Sequence, residues 1–211
     1  MASQNHIHVI DPDFRRRARI TFELAQHQVH AEIYEDLEEF GSRIPEGGAI
    51  FVADEQGRCT AREVRAMLHA LGRPLPVAAY SAEPTPQRIV DAMLDGALDY
   101  LRWPFDPALL ETALTRLSDE GDRRARQAQR ETAAKAAIEH LSAREHEVLE
   151  LMVDGDSNKE IGRRLGISPR TVEIHRGNMM RKLNARSPSD AVRVAMHAGL
   201  DGDREEQSLA A

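Results

Sequence analysis

The chain contains 211 residues, of which 41% are hydrophobic and 30% charged, and its formal net charge at pH 7 is −7. This length fits one large or two modest domains that each bury a core, and no apolar run approaches the roughly 18 residues that span a bilayer. The single cysteine, Cys59, excludes an internal disulfide framework and a multi-cysteine metal site. The N-terminus lacks a signal-peptide pattern, so we expect a cytoplasmic protein without membrane contact.

Charge is distributed unevenly along the chain. Residues 1–117 carry 12 Lys/Arg and 18 Asp/Glu, whereas residues 118–140 carry five of each and favour a helical or partly mobile arm. Residues 141–201 carry ten basic and nine acidic residues, and 202–211 add a net −2. We therefore predict an acidic N-terminal domain (1–117), a helical linker (118–140), a second domain (141–201) and a disordered acidic tail (202–211).

In the N-terminal domain, short apolar runs alternate with stretches of helical periodicity. The predicted strands are 6–10, 29–34, 49–53, 75–80 and 97–102. The predicted helices are 12–27, 36–43, 61–71, 85–94 and 106–117. The run at 49–53 is continuously apolar, which is typical of a buried parallel strand. Five strands alternating with five helices predict a doubly wound, flavodoxin-like parallel sheet.

Two short helical patterns flank a tight connection in residues 157–184. The first, Asn158–Leu165, ends at Gly166, and the second begins after Ser168, a good N-cap, with Pro169 at its first position. Apolar residues recur along the second pattern at Val172, Met179 and Leu183. A helix, a turn with glycine and a capped second helix predict a helix-turn-helix whose second helix enters a DNA major groove.

A basic island coincides with this motif. Residues 156–186 carry eight Lys/Arg against three Asp/Glu, a net +5 within an acidic chain. Only the docking face of a protein needs to displace counterions from DNA, so a local excess of cations indicates a double-stranded DNA partner. The alternative from charge spacing alone is a solvated amphipathic helix pair.

A longer pattern contains this motif. It runs from Leu141-Ser-Ala-Arg-Glu145 through Gly155, Ser157-Asn-Lys-Glu-Ile161 and Leu165-Gly-Ile-Ser-Pro-Arg-Thr-Val172 to Arg181-Lys-Leu183. It resembles the LuxR-type (NarL/FixJ) four-helix, all-α DNA-binding domain over residues 141–200. The resemblance implies that a capped final helix, 187–199, is the dimer contact of this domain.

Phosphate contacts should position such a domain, and groove-facing side chains should specify sequence. The predicted phosphate contacts are Lys159, Ser168, Arg170, Thr171, His175 and Lys182. The predicted contacts to base edges are Glu173, Ile174, Arg176, Gly177 and Asn178. Gly177 either permits close approach to the groove or weakens base reading, and the sequence does not choose between these.

Polar or aromatic residues follow the strands of the N-terminal sheet. Asp11, Asp54, Ser81 and Trp103 stand directly after the first, third, fourth and fifth strands. Ligands of such sheets bind beyond the carboxyl ends of the strands. Over residues 6–117 the pattern resembles the receiver domain of two-component response regulators, which implies the strand order 2-1-3-4-5.

The resemblance assigns roles to individual residues of this pocket. Asp54 takes the position of the phosphoacceptor, and Asp11 that of the first acidic metal ligand. The second acidic position is Pro12, although Asp13 follows it. Ser81 matches the switch hydroxyl, Tyr100 the aromatic that moves with it, and Trp103 replaces the expected lysine.

These departures weaken the supports of phosphoryl transfer, which needs a divalent ion and a cation to neutralise charge. We therefore expect a degenerate receiver that ordinary phosphorylation of Asp54 does not switch, with no cofactor. Its rival is a pocket in which Asp11, Asp13 and Asp54 hold Mg²⁺ loosely and a histidine kinase phosphorylates Asp54 slowly. Trp103 either fills the pocket or is a packed aromatic without a signalling role.

Other candidate sites are weaker. Cys59 is expected to be inert rather than redox-active. The histidines are expected to be scattered on or near the surface rather than to bind metal; those close together in the sequence are His6, His8, His27 and His30. An enzyme is disfavoured because the sequence contains no nucleophile–base pair, phosphate-binding glycine loop or metal quartet.

The resemblance also implies a homodimer, formed through the receiver face at residues 84–117. Its apolar contributors would be Ile89, Leu98, Leu109 and Leu110. The leading interpretation is a DNA-binding transcription regulator, with an interaction protein that binds a regulatory partner through its receiver as the alternative.

Overall fold

The computed structural model describes residues 6–55 and 60–200, so Cys59 and the predicted acidic tail lie outside the described residues. Contacts divide the chain into two compact units, which meet in sequence at Arg126 and Gln127. Each unit has its own hydrophobic core.

The first unit contains a parallel sheet of five strands in the order β2-β1-β3-β4-β5. The strands are β1 His6–Ile10, β2 His30–Tyr34, β3 Ala49–Ala53, β4 Val77–Ser81 and β5 Asp99–Arg102. The helices between them are α1 Phe14–Gln26, α2 Leu37–Ser42, α3 Ala61–Ala70 and α4 Pro86–Leu94. The predicted flavodoxin-like fold and strand order are confirmed, although β4 and β5 each begin two residues later than predicted.

The sheet is covered on both faces, which is why β3 is buried along its whole length. On one face α1 contributes Ile20 and Leu24 to a core that also contains Phe51. On the other face α3 contributes Val64 and Leu68. With both faces closed by helices, the carboxyl ends of the strands remain as the open edge at which a site can form.

The helix after β5 is longer than predicted. Instead of ending at Leu117, α5 runs without interruption from Pro107 to Glu139 and includes the predicted linker. Gly121 does not end it, and the following residues stabilise it: Glu120 accepts hydrogen bonds from Arg123 and Arg124. Arg124 also donates to the carbonyl of Leu75, which holds this part of the helix against the first unit.

The second unit contains four further helices: α6 Ala143–Val153, α7 Asn158–Leu165, α8 Pro169–Lys182 and α9 Pro188–His197. Their buried faces meet in one core that includes Leu149, Ile161, Val172 and Met179. The predicted helix-turn-helix is confirmed as α7 and α8. Gly166 adopts the left-handed conformation (φ 69°) that ends α7, as the sequence predicted.

Candidate receiver pocket and nucleic-acid interface

Asp11 lies at the carboxyl end of β1 with its side chain fully buried. The Arg16 guanidinium of α1 donates from Nε to Asp11 Oδ2 (2.5 Å) and from Nη2 to Oδ1 (2.8 Å). The Tyr80 hydroxyl donates to Oδ2 (2.6 Å), and the backbone amide of Asp13 donates to Oδ1 (2.8 Å). Four donors therefore surround a carboxylate that the receiver resemblance assigns to a metal ion.

Arg16 also contacts a second carboxylate. Its Nη2 atom lies 2.5 Å from Glu55 Oε1, so one guanidinium joins the carboxyl ends of β1 and β3. Hydrogen bonding to Asp11, followed by attraction to both acids, raises the pKa of Arg16 and keeps it charged. A divalent cation at this point would have to displace this guanidinium.

Asp13 is used locally. Its side chain caps α1 by accepting hydrogen bonds from the backbone amides of Arg15 (2.8 Å) and Arg16 (3.1 Å), and the latter contact above all lowers the pKa of Asp13. The N-terminus of a helix favours such a carboxylate. Asp13 is exposed and lies two residues after Asp11 in the chain, and its Oδ1 accepts both of the hydrogen bonds that cap the helix.

Asp54, the predicted phosphoacceptor, lies at the carboxyl end of β3 and has two partners. Arg88 Nε from α4 lies 3.2 Å from Asp54 Oδ2, and the Tyr100 hydroxyl donates to the same oxygen at 2.7 Å. Arg88 also donates to the backbone carbonyl of Asp54. Burial, followed by the hydrogen bond and charge of Asp54, raises the pKa of Tyr100, so its hydroxyl remains a donor.

The other two predicted pocket residues, Ser81 and Trp103, contact neighbouring residues of the receiver. Ser81 is buried, and its hydroxyl accepts a hydrogen bond from the backbone amide of Glu83 (3.2 Å). The Trp103 indole meets the Phe105 ring edge-on at 4.8 Å, and Arg19 lies over it at 5.4 Å. The cation beside Asp54 thus comes from Arg88, not from the position after β5.

Arginine side chains of the receiver therefore neutralise the carboxylates of this pocket. Asp11 and Glu55 are paired with Arg16, and Asp54 is paired with Arg88. Within residues 6–55 and 60–200, no group of three or more His, Cys, Asp or Glu side chains is arranged to hold a metal ion.

Sequence reasoning missed Arg16, Glu55, Tyr80 and Arg88. Glu55 directly follows Asp54, and Arg16 lies in the run Arg15–Arg17 just after Asp13, so local spacing contained a signal for both. Arg88 is 34 residues from Asp54, and only the fold brings them together.

His8 differs from the expectation of scattered histidines at or near the surface. It is buried in β1, where its ring nitrogens lie 3.1 Å from the Gly47 carbonyl and 3.3 Å from the Tyr34 hydroxyl. Burial lowers the pKa of His8 despite the nearby Glu32 carboxylate. His6 and His30 form a tilted ring pair at 4.9 Å on the neighbouring strands.

In the second unit, side-chain caps define the start of both helices of the motif. Ser157 and Glu160 form a capping box at α7, and Ser168 accepts from the Thr171 amide (3.1 Å) at α8. Lys159 is exposed in the first turn of α7. Helix N-termini with a nearby cation are suited to bind phosphate groups.

The predicted reading helix, α8, exposes one face. Arg170 is 84% exposed and pairs with Glu173 at 3.2 Å. Ile174 is 56% exposed, and Gly177 is also exposed. A cation, a carboxylate and an apolar side chain are therefore available on this face for phosphates and base edges.

The other predicted contacts are less accessible. Lys182 donates to the buried Glu145 at 2.6 Å; although burial opposes ionisation, Lys182 and Ser142 hold the pKa of Glu145 below its usual value. Asn178 accepts a hydrogen bond from Arg181 (2.6 Å). The half-buried members of the predicted set are Thr171, His175, Arg176 and Asn178.

Comparisons with known proteins agree with both units. Residues 139–195 match the family described as "Bacterial regulatory proteins, luxR family". The transcriptional regulatory protein FixJ of Bradyrhizobium diazoefficiens is 32% identical over 209 residues, covering 96% of this chain and 100% of the relative. FixJ of Azorhizobium caulinodans is 33% identical, with coverages of 92% and 93%.

Two solved structures also cover most of the chain. The response regulator StyR superposes with a TM-score of 0.70 at 25% identity, covering 90% of this chain and 98% of StyR. Full-length FixJ from B. japonicum gives a TM-score of 0.54 at 30% identity, with coverages of 94% and 99%.

A sheet in this order, followed by the helix-turn-helix unit, defines a response regulator with a receiver domain and a LuxR-type DNA-binding domain, and hence a transcription regulator. The chain belongs to the FixJ family of these regulators. In the part of the chain that the structure describes, no helix has the length and apolar character needed to cross a membrane.

Proposed function

We propose that this regulator binds specific DNA sequences as a homodimer and that its receiver is degenerate, so that ordinary phosphorylation of Asp54 does not control it. The observation that supports a degenerate receiver is the pairing of Arg16 with Asp11 and Glu55. Because its partner is DNA, a cytoplasmic location is part of the proposal.

Arg16 competes directly with a divalent ion. Mg²⁺ needs carboxylate oxygens at about 2.0–2.1 Å in octahedral geometry. Both Asp11 oxygens and one Glu55 oxygen already accept hydrogen bonds from Arg16, whose side chain is only 10% exposed. Binding the ion would place a charge of +2 beside a buried guanidinium or force that guanidinium out. Both are unfavourable because water screens buried charges poorly.

The nucleophile is engaged as well. Asp54 Oδ2 accepts a hydrogen bond from Tyr100 and lies 3.2 Å from Arg88 Nε, so attack by this oxygen on a phosphoryl group would require both contacts to rearrange. Without a metal ion, charge on the transferred group loses a main source of stabilisation, which usually costs on the order of 10²–10³ in rate.

A slowly phosphorylated receiver is the second candidate, and one observation favours it. Arg88 supplies a cation 3.2 Å from Asp54, and a guanidinium is able to neutralise charge on phosphate oxygens.

Incubation with acetyl phosphate and Mg²⁺, followed by intact-mass spectrometry, tests the proposal on the wild type and on Asp54→Asn. We expect no modification of the wild type. Calorimetric titration should detect no Mg²⁺ binding to the wild type, whereas Arg16→Met should gain it because Asp11 and Glu55 lose their cation. Arg17→Met is the matched control, since the Arg17 guanidinium donates to the backbone carbonyl of Asp11 and not to its carboxylate. Rapid, Mg²⁺-dependent modification that Asp54→Asn abolishes would favour the second candidate.

We propose that DNA is bound by the second unit, with α8 in the major groove and the N-terminal turns of α7 and α8 against phosphates. The assigned phosphate contacts are Lys159, Ser168, Arg170, Thr171, His175 and Lys182. The assigned base contacts are Glu173, Ile174, Gly177 and Asn178. The domain limits 1–117 and 141–201 belong to the same proposal, with the linker 118–140 contained in α5 except for its last residue.

Selection from a random-sequence duplex library with the full-length chain tests the DNA proposal. We expect an enriched sequence with two half-sites about one helical turn apart, because a symmetric dimer presents two reading helices. The absence of any retained duplex at low ionic strength would contradict DNA binding. A single enriched half-site and a monomer in solution would contradict the homodimer alone.

A further inference from the structure

Arg176 occupies the inner side of the reading helix. It follows Val172 by four residues and precedes Met179 by three, and both of these neighbours are fully buried. Helical periodicity therefore places Arg176 on the stripe that faces the core, while Ile174 and Gly177 lie on another face. Arg176 also lines a cavity of about 320 Å³ together with Gly155, which follows α6, and Val192 of α9.

The guanidinium of Arg176 has a partner on the other helix of the motif. It donates from Nη1 to the side-chain carbonyl oxygen Oδ1 of Asn158, the first residue of α7. The next residue along α7 is Lys159, which is exposed. The contact thus connects the reading helix to the turn that carries an assigned phosphate contact.

We infer that Arg176 and Asn158 form a positioning pair, the α7–α8 clamp, that sets the angle and register of the reading helix relative to the phosphate contacts, and that Arg176 does not read a base. This role rests on the proposed binding of DNA through α7 and α8. It reassigns the one arginine that sequence spacing alone predicts as a base contact.

Geometry distinguishes the two roles. A guanine-reading arginine must present two N–H groups to the groove at once. In the end-on geometry both terminal nitrogens face the guanine, whereas Arg176 is half-buried and its Nη1 already donates to Asn158. Leaving the clamp to reach a base would break a charge-assisted hydrogen bond, which typically contributes a factor of about ten or more to an equilibrium.

The clamp has a consequence that a base contact lacks. Phosphate contacts fix the register of the protein on the duplex, and bases are read correctly only in that register. Removing the clamp therefore loosens all base contacts together, whereas removing a reader relaxes one base pair.

The test is a double-mutant cycle in the full-length chain. Affinity is measured on the duplex selected by the wild type and on a library with single base-pair changes. We expect Arg176→Ala and Asn158→Ala each to weaken duplex binding about tenfold. Each should also lower the preference for the selected base at several base pairs by similar factors. The double variant should bind no more weakly than either single variant, because both remove the same contact. Asn158→Asp should retain binding, since its carboxylate still accepts from Arg176.

Arg144→Ala and Glu147→Ala are the matched controls. These residues form an exposed Arg–acid pair within α6 of the same unit and are not assigned DNA contacts, so we expect duplex binding to be unchanged. Loss of preference at one base pair in Arg176→Ala, with Asn158→Ala unaffected, would overturn the clamp and restore the reader. Additive losses of duplex affinity in the double variant would also overturn it. So would losses of affinity that follow the folded fraction of each variant while base preference stays unchanged. A wild-type chain that binds no duplex would overturn the proposed function itself.

Discussion

Two arginine–carboxylate pairs in this molecule have opposite settings. In the receiver pocket, Arg16 is 10% exposed and Asp11 is fully buried, whereas on the reading helix Arg170 is 84% exposed beside an exposed Glu173. Several hydrogen bonds hold the first pair. Removing either residue would leave the charge of the other buried without a partner. The second gains little from its own contact and is free to exchange Glu173 for a phosphate. Burial, more than residue type, therefore determines which cation serves the fold and which serves a ligand.

The largest expected difference between the two regions is in their response to salt, which should weaken duplex binding far more than it changes receiver stability. If about six phosphates are contacted, raising the salt concentration from about 50 to about 200 mM should weaken duplex binding by about 10³, because condensed counterions are released on binding. Fluorescence anisotropy of a labelled duplex measures this. The unfolding midpoint of the receiver, followed by the fluorescence of Trp103, should change little because buried pairs are poorly screened. A flat plot of log affinity against log salt would contradict the assigned phosphate contacts.

Breaking the buried pair should affect folding. Asp11→Ala leaves the Arg16 guanidinium without its main partner, and we expect the free energy of unfolding to fall by about 3 kcal/mol. Urea unfolding monitored by Trp103 fluorescence measures the change. Glu147→Ala, which removes the partner of Arg144 in an exposed pair, is the control and should leave this transition unchanged. Equal midpoints for Asp11→Ala and the wild type would show that the pocket pair contributes nothing to stability.

Breaking the exposed pair should affect binding alone. Arg170→Ala should weaken binding to selected and random duplexes alike by about tenfold and reduce the salt slope by about one, since it removes one phosphate contact. Arg144 is a suitable control, because it forms the same i,i+3 type of exposed pair with Glu147 on α6. A loss confined to the selected duplex would instead identify Arg170 as a base reader.

The smallest expected effect concerns pH and a second buried group of the receiver. Burial holds the pKa of His8 below its ordinary value of 6.5, so the unfolded chain binds a proton more readily than the folded one. The stability that neutral His8 contributes is present above pH 6.5 and is lost as the pH falls through the lowered pKa. His8→Gln should therefore flatten the difference between unfolding midpoints measured at about pH 7.5 and about pH 5.5. His30→Gln, at an exposed position on β2, is the control, and an unchanged difference in His8→Gln would show that other groups cause it.

The sequence predicted most of the local structure. The alternation of apolar runs and helical stretches predicted the number, order and type of the elements in the first unit, because burial and periodicity are properties of adjacent residues. In the second unit, spacing and caps predicted α7 and α8, and the resemblance implied the four-helix architecture. The ends of α7 and the start of α8 were correct to the residue, since Gly166, Ser168 and Pro169 act through their own backbone conformation. The predicted end of the fifth helix at Leu117 was wrong, because the helix continues to Glu139 with Glu120 paired to Arg123 and Arg124 along it.

The sequence by itself determined which elements form and where their caps lie, because those depend on neighbours within a few positions. Only the tertiary structure decided the partners of the guanidinium groups: Arg16 with Asp11 and Glu55, Arg88 with Asp54, and Arg176 with Asn158. Hydrogen bonds and ion pairs act over a few ångströms in space without regard to separation along the chain. The partners of a guanidinium are therefore fixed only once the sheet and the helices have packed.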